Sequence, residues 1–332
     1  MPETLPEICL RYLTMTNKTG FFSHPDCRQH DMGRGHPECP ERLDAIEDRL
    51  LASGVLDALE RHDAPIADLA PIELAHSEHH VQSVNTLNAR LQKSIAEGGA
   101  HLAQIDPDTA MSGGSFKAIL RGVGAALAAT DAVMAGELEN AFCATRPPGH
   151  HACHDKAMGF CVFNNVAIAA KYALEQHGLK RVAIVDFDVH HGNGTEDIVA
   201  GDERILMVSF YQHPFYPYGG STSDAPNLVN LPVPAYTKGA AVRELVEHHW
   251  LPRLHEHRPE MIFISAGFDA HRDDDLGQMG LVEADYAWMT QQIKSIAALY
   301  GKGRIVSCLE GGYNLSALGR SVEAHVRVLA GV

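Results

Sequence analysis

Five short runs of unbroken apolar, β-branch-rich sequence limit the fold of this chain more than any other feature: AFCAT (141–145), RVAIVDF (181–187), RILMVSF (204–210), MIFISA (261–266) and RIVSCL (304–309). A strand that faces water on one side alternates apolar and polar residues. An unbroken run belongs instead to a strand covered on both faces, as in a parallel sheet. Between these runs lie helical patterns, NNVAIAAKYALEQHG (164–178), AAVRELVEHHWLPRLHEH (240–257) and VEADYAWMTQQIKSIAALYG (282–301). The alternation predicts an α/β fold built on a parallel sheet flanked by helices. Two further helices are expected over 39–54, opened by Pro40, and over 115–136. At 332 residues and 45% apolar content the chain can bury one large core, and no repeat, low-complexity tract or linker divides it. Residues 1–15 therefore read as an N-terminal extension and 16–332 as a single domain, with a first strand beginning near Thr19–Phe22.

The sequence has no 18-residue apolar run, and its first twenty residues lack a basic segment followed by an apolar one. The expectation is no membrane partner, no signal peptide and a cytoplasmic location. Seven cysteines without a CxxC pair read as reduced core thiols. With 27 basic and 42 acidic residues the formal charge is −15, which predicts no direct binding to nucleic acid and favours cationic ligands. The run Asp273, Asp274, Asp275 reads as a solvated loop face.

The chemistry gathers where the apolar runs end. In RVAIVDFDVHHGNGT the side chains of Asp186, Asp188 and His190 should share one face, two residues apart, with Phe187 and Val189 on the other. Asp269 ends a second run, in MIFISAGFDAH. Asp188, His190 and Asp269 make a donor set that leaves a coordination position open, as a catalytic rather than a structural zinc requires. The alternative is a pair of ordinary strand-end loops, but loops after the strands of a parallel sheet collect at one edge, where ligands bind. In RPPGHHACHDKAMGFCVFNN, His150 and His151 follow a stiff Pro-Pro-Gly turn, and His151 is a candidate general base. Asp186 and Asn193 are the available orienting partners, and His191 a loop-shaping residue. Tyr313, in LEGGYNLSALG, is either an ordinary loop aromatic or, at the sheet's carboxyl edge beside a metal, a hydrogen-bond donor to a developing oxyanion. Phe160, Phe215, Tyr216 and Tyr218 either wall a narrow channel or pack ordinarily.

Taken in order, RPPGHH, GFCVFNN, DFDVHHGNGT, SAGFDAH, GQM and EGGYN resemble the zinc-dependent histone deacetylase family, over about His36 to Gly319. The resemblance implies the arginase–deacetylase fold, with an eight-stranded parallel sheet, and hydrolysis of an acetyl amide at the end of a tunnel. It implies one catalytic zinc ion on Asp188, His190 and Asp269. It further implies His150 partnered by Asp186, His151 partnered by Asn193 as in the class II branch, and Tyr313 as the catalytic tyrosine. A structural potassium ion is implied at Asp186, Asp188, His190, Ser209 and Phe210. Phe160 and Tyr216 match the tunnel aromatics, Tyr216 departing from the usual Phe or Trp. Leu276 stands where polyamine-selective relatives carry glutamate, which favours an acetylated lysine peptide or protein over a small acylated amine such as an acetylpolyamine. Asp106 and Asp108 are alternative holders of the substrate backbone. Three other readings stay open: an acetylpolyamine amidohydrolase, a binuclear manganese ureohydrolase, which needs a second ligand set not found here, and a catalytically silent acyl-lysine or partner-binding module. A homo-oligomer is also left open.

Overall fold

The computed structural model describes residues 18–219 and 223–332. The expected extension over 1–15 lies outside the described residues. The centre is an eight-stranded sheet, all parallel: β1 (Thr19–Ser23), β2 (Leu59–Asp63), β5 (Asn140–Cys143), β6 (Val182–Asp186), β7 (Ile205–Gln212), β8 (Leu228–Val233), β9 (Met261–Ala266) and β10 (Ile305–Leu309), in the order β2-β1-β5-β10-β9-β6-β7-β8. Every predicted apolar run overlaps one of these strands, β5 starting one residue before its run and β7 ending two residues after. Alternate residues feed different cores, as the pleat requires: Ala183 and Val185 join one apolar cluster, Val182 and Ile184 the other. Helices cover both faces, including α1 (Glu41–Ala52), α3 (Ser115–Ala135), α4 (Asn165–Glu175), α8 (Glu283–Tyr300) and α9 (Leu315–Ala330).

Several elements differ from expectation. The edge strands β2, LERHD, and β8, LVNLPV, were not anticipated, because an edge strand tolerates charge and proline that the interior excludes. The expected loop IDPDTAMSGG is largely an antiparallel hairpin, β3 (Leu102–Asp106) with β4 (Thr109–Ser112), turning at Pro107 and Asp108. The helix over 240–257 has a π-turn at Val246–Trp250 between α6 (Gly239–Leu245) and α7 (Leu251–His257), next to Pro252, which cannot donate a backbone hydrogen bond. Two helices, α2 (Glu78–Ala96) and α9, were also not singled out in the sequence. Helix α3 is long and apolar enough by mean composition to cross a membrane, although Lys117, Arg121 and Asp131 interrupt its apolar sequence. Gly122, Val123, Ala125, Ala126 and Ala129 along it are buried in this fold.

The register places the chemistry. Asp186 pairs with Ser265, and Ala266 with Leu309, so β6, β9 and β10 end side by side. Their following loops, FDVHHG, GFDAH and EGGYN, therefore open on one edge of the sheet.

Candidate active site and metal centre

Strand β6 ends at Asp186, four residues earlier than the predicted shelf, yet its alternation continues into the loop. Phe187 and Val189 enter the apolar core, while Asp188 and His190 turn the other way. One ligand atom each from Asp188, His190 and Asp269 lies within 4.8 Å of the others. Asp188 Oδ1 sits 3.0 Å, and Asp269 Oδ2 3.1 Å, from His190 Nδ1. The carboxylates are aimed by backbone donors: Val189 N donates to Asp269 Oδ1 at 2.9 Å and Gly311 N to Asp188 Oδ2 at 2.9 Å. Asp269 Oδ2 is buried without an aligned hydrogen bond. Burial and the Asp188 charge push the Asp269 carboxyl up to about 7. Burial opposes a charge on His190, but Asp188 and Asp269 outweigh it and raise the imidazole to about 10.

This is the electrostatics of a cation site: two buried carboxylates repel, one oxygen has no donor, and the imidazole between them gathers positive charge. Space is kept there as well. A Cβ at Gly311 would lie 2.0 Å from Asp269 Oδ2 and 2.6 Å from Asp188 Oδ2. The three residues fit a divalent ion with N and O ligands.

Beside them the imidazoles of His150 and His151 pack 4.0 Å apart, centroid to centroid. The loop carrying them is hung on Glu310, whose Oε2 accepts from Gly149 N at 2.6 Å and His150 N at 3.1 Å. His150 Nδ1 lies 3.0 Å from Asp186 Oδ2. Burial disfavours its charge, but Asp188 and then Asp186 overcome this, and its pKa stands well above the usual value. His151 Nδ1 lies 2.7 Å from Asn193 Oδ1, which can only accept, so Nδ1 carries the proton. Burial, then the neighbouring His150 and His190, hold its pKa well below the usual value. Adjacent imidazoles thus favour opposite protonation states, because the Asp188 and Asp186 carboxylates hold the charge on His150 while burial and the neighbouring imidazoles keep His151 neutral.

Tyr313 is held from behind. Asp274 Oδ2 accepts from Tyr313 N at 2.7 Å and Asn314 N at 2.9 Å, and the Arg42 guanidinium lies 4.9 Å from the ring centroid. Asp274 is buried, which corrects the reading of 273–275 as a solvated face. A triple acidic run gives no sign of which member turns inward. Arg42 belongs to a buried group that sequence reasoning also missed. It donates to Gly312 O, Glu310 O and Glu38 Oε1, and Glu38 receives a fork from Arg146. Glu38 and Arg42 stand four apart with opposite charges, the one available signal, although Glu38 precedes the helix that carries Arg42.

A cavity of about 230 Å³ opens onto these groups, lined by Asp108, His151, Gly159, Phe160, His190, Phe215, Tyr216, Tyr218, Leu276 and Tyr313. Two larger surface hollows lie elsewhere, near Arg90 and near Arg253, so chemistry rather than size marks this one. Phe160 and Tyr218 hold left-handed φ values of 67° and 69°, strained for non-glycine residues. Asp108 lines the cavity and is hydrogen-bonded to Tyr216, whose hydroxyl pKa is raised by burial and by that carboxylate. Asp106 does not line the cavity; it neighbours Asp108, and its Oδ2 lies 3.4 Å from Lys156 Nζ. Of the residues expected to hold potassium, Asp186 Oδ1 accepts from Asp188 N, Ser209 Oγ donates to Asn230 Oδ1 at 2.7 Å, and Phe210 stacks on Trp250. His191, expected to shape its loop, is buried against Glu196.

A family model described as "Histone deacetylase domain" matches residues 36–329. Uncharacterized protein slr0245 of Synechocystis sp. is 39% identical over 300 residues, covering 89% of this chain and 93% of that protein. The histone deacetylase-like amidohydrolase of Pseudomonas aeruginosa is 34% identical over 324 residues, covering 90% and 83%. Some other relatives are much longer, and the chain spans 21% to 49% of their lengths. Among solved structures, the HDA15 HD domain superposes with a TM-score of 0.87 at 32% identity, covering 95% of this chain and 90% of that one.

Proposed function

This chain belongs to the histone deacetylase family of deacetylases and amidohydrolases, and from that premise we propose that it is a zinc-dependent hydrolase cleaving the acyl amide of an acetylated lysine in a peptide or protein. The observation that carries the reading is the meeting, in one cavity, of an Asp-His-Asp ligand set, a neutral imidazole and a tyrosine hydroxyl. Asp188, His190 and Asp269 would hold the ion. A zinc ion bound there supplies Lewis acidity toward the acyl carbonyl and toward the attacking water. His151, protonated on Nδ1 and depressed in pKa, has Nε2 free to take the water's proton. Tyr313 donates to the acyl oxygen as it becomes anionic. His150, held protonated against Asp186, supplies the proton that the departing amine needs. Water thus adds across the amide, giving a carboxylic acid and a free amine.

Leu276 in the cavity wall supports a peptide substrate, since an apolar side chain offers no partner to a polyamine ammonium. The Asp108 carboxylate and the Tyr216 hydroxyl in the same wall favour the second reading, an acetylpolyamine. The potassium site at Asp186, Asp188, His190, Ser209 and Phe210 rests on family likeness alone; a rise in melting temperature with KCl that NaCl does not reproduce would support it. The deciding experiment is hydrolysis of an acetyl-lysine peptide and of N8-acetylspermidine by the zinc-loaded protein, with Tyr313→Phe as control. Faster turnover of the peptide supports the first reading, and preference for the polyamine replaces it with the second. Turnover that Tyr313→Phe leaves unchanged would remove the tyrosine from the mechanism.

A further inference from the structure

Asparagine at 193 leaves the site with a problem that a carboxylate would not have. The two ends of an amide differ, and a flip by half a turn exchanges acceptor for donor at nearly constant shape. With Oδ1 toward His151, Nδ1 of the imidazole carries the proton and Nε2 faces the cavity as a base. With Nδ2 toward His151, Nδ1 must accept, the proton moves to Nε2, and the base is lost. Something has to choose between these arrangements.

The partners of Nδ2 are unusual. It donates to Cys153 Sγ at 3.4 Å and to Met158 Sδ at 3.4 Å. A thioether sulfur only accepts, and the Cys153 thiol proton is directed to His151 O, with Sγ 3.6 Å from that oxygen. Burial and the Asp197 charge push the Cys153 thiol up to about 11, so the proton stays on sulfur. The amide nitrogen therefore faces two acceptors, and a flipped amide would set its oxygen against two sulfurs. The imidazole itself has no alternative seat. A Cβ at Gly159 would lie 2.5 Å from His151 Cδ2, and the Tyr216 ring stands edge to face at 5.1 Å.

We propose that Cys153 and Met158 are positioning residues that set the orientation of the Asn193 amide and, through it, the tautomer of His151. Neither touches the cavity, and neither need be reactive. The inference rests on the reading of His151 as the base, but the tautomer can be measured without that reading.

The test compares Cys153→Ala/Met158→Leu with the parent chain, and both again in an Asn193→Asp background, using the full-length protein. Side-chain 15N spectra of histidine-labelled protein, with His151→Gln to assign the signal, report which ring nitrogen is protonated. The expected result is an Nδ1–H tautomer in the parent and a mixture in the double variant. The expected activity is a fall in kcat of about tenfold, at the low end of the cost of removing an orienting partner, with KM changed by less than about twofold. Cys153→Ser, which keeps an acceptor, should retain most of the activity. In the Asn193→Asp background the sulfur changes should cost little, because either carboxylate oxygen accepts equally well. An unchanged tautomer in the double variant overturns the proposal, as does an equal loss in both backgrounds. A shifted tautomer with unchanged kcat would leave the positioning role standing and remove His151 as the base.

Discussion

Two buried clusters of charge lie within one loop of each other and are built on opposite terms. In the first, every nitrogen of the Arg42 and Arg146 guanidiniums has an acceptor: Glu38, or the carbonyls of Cys27, His30, Glu38, Glu310 and Gly312. Burial alone would raise the Glu38 carboxyl, but Arg146, His30 and Arg42 hold it far below the usual range. In the second, Asp188 and Asp269 share one imidazole, and Asp269 Oδ2 finds no aligned donor. Their carboxylates are buried alike, and only His190 reaches the cavity, so burial alone does not distinguish them. Closure does. A carboxylate matched by two fully bonded guanidiniums holds loops together, even with His30 Nε2 beside it lacking an aligned bond, whereas two carboxylates that share one imidazole are ready for a cation.

That contrast can be broken most directly at Asp269. Asp269→Asn should abolish metal binding, read by elemental analysis, and lower kcat by more than ~100-fold, since losing even an outer partner of a metal ligand costs about 10–100-fold. Its effect on the metal-free protein has the opposite sign. A carboxyl raised from 3.8 to about 7 in the folded state destabilises the fold progressively as pH rises through that window. The variant should therefore unfold at higher urea than the metal-free parent at pH 7, and the advantage should vanish near pH 4. If it does not, the cluster is not open in the sense argued here.

Glu38→Ala tests the other side. Leaving two buried guanidiniums without their carboxylate should cost about 3–5 kcal/mol, measured by urea unfolding. The metal affinity of whatever protein remains folded should change little. A large loss of metal with little loss of stability would merge the two clusters.

A third buried polar group separates closure from charge. His325 lies between Thr290 Oγ1 at 2.7 Å and Ser307 Oγ at 2.9 Å, and burial lowers its pKa from 6.5 to about 3. It is closed and neutral. The unfolded chain takes up a proton below pH 6.5 that the folded chain refuses, so stability is full above that pH and is lost at about 1.4 kcal/mol per pH unit on the way down. Comparing urea midpoints at pH 7 and pH 5 for the parent and His325→Gln should show a shallower fall in the variant. The smallest effect is expected at Tyr216→Phe, which removes one hydrogen bond to Asp108. A neutral-to-charged bond of this kind is worth about 1.5–3 kcal/mol at most, and far less when the freed carboxylate reaches water. KM should move by a few fold with kcat nearly constant.

Much of this was legible from residue order. The five central strands announced themselves as apolar runs, and the ligand set stood at the ends of two of them. The alternation through Asp186, Phe187, Asp188, Val189 and His190 outlives the strand itself, which is why a period-two reading grouped Asp188 with His190 despite a wrong strand boundary. What stayed hidden depends on contacts distant in sequence. Glu310 supports the His150 loop across 160 residues, and Asp274 holds Tyr313 across 39. The sulfurs of Cys153 and Met158 read as core atoms until Asn193 is folded against them. The edge strands escaped because their sequences are those of solvent-facing segments.

Gly311 carries a consequence for how such a protein can change its trade. Its missing side chain keeps the space between Asp188 and Asp269 open, together with that of Gly267, where a Cβ would lie 2.0 Å from Asp188 Oδ2. A single base change in any glycine codon reaches alanine, and the added methyl would stand where the ion is expected. The sheet lies outside that change, while the Glu38 cluster adjoins it through the Glu310 and Gly312 carbonyls that Arg42 holds. A hydrolase of this design is thus one base change away from crowding its own ion site.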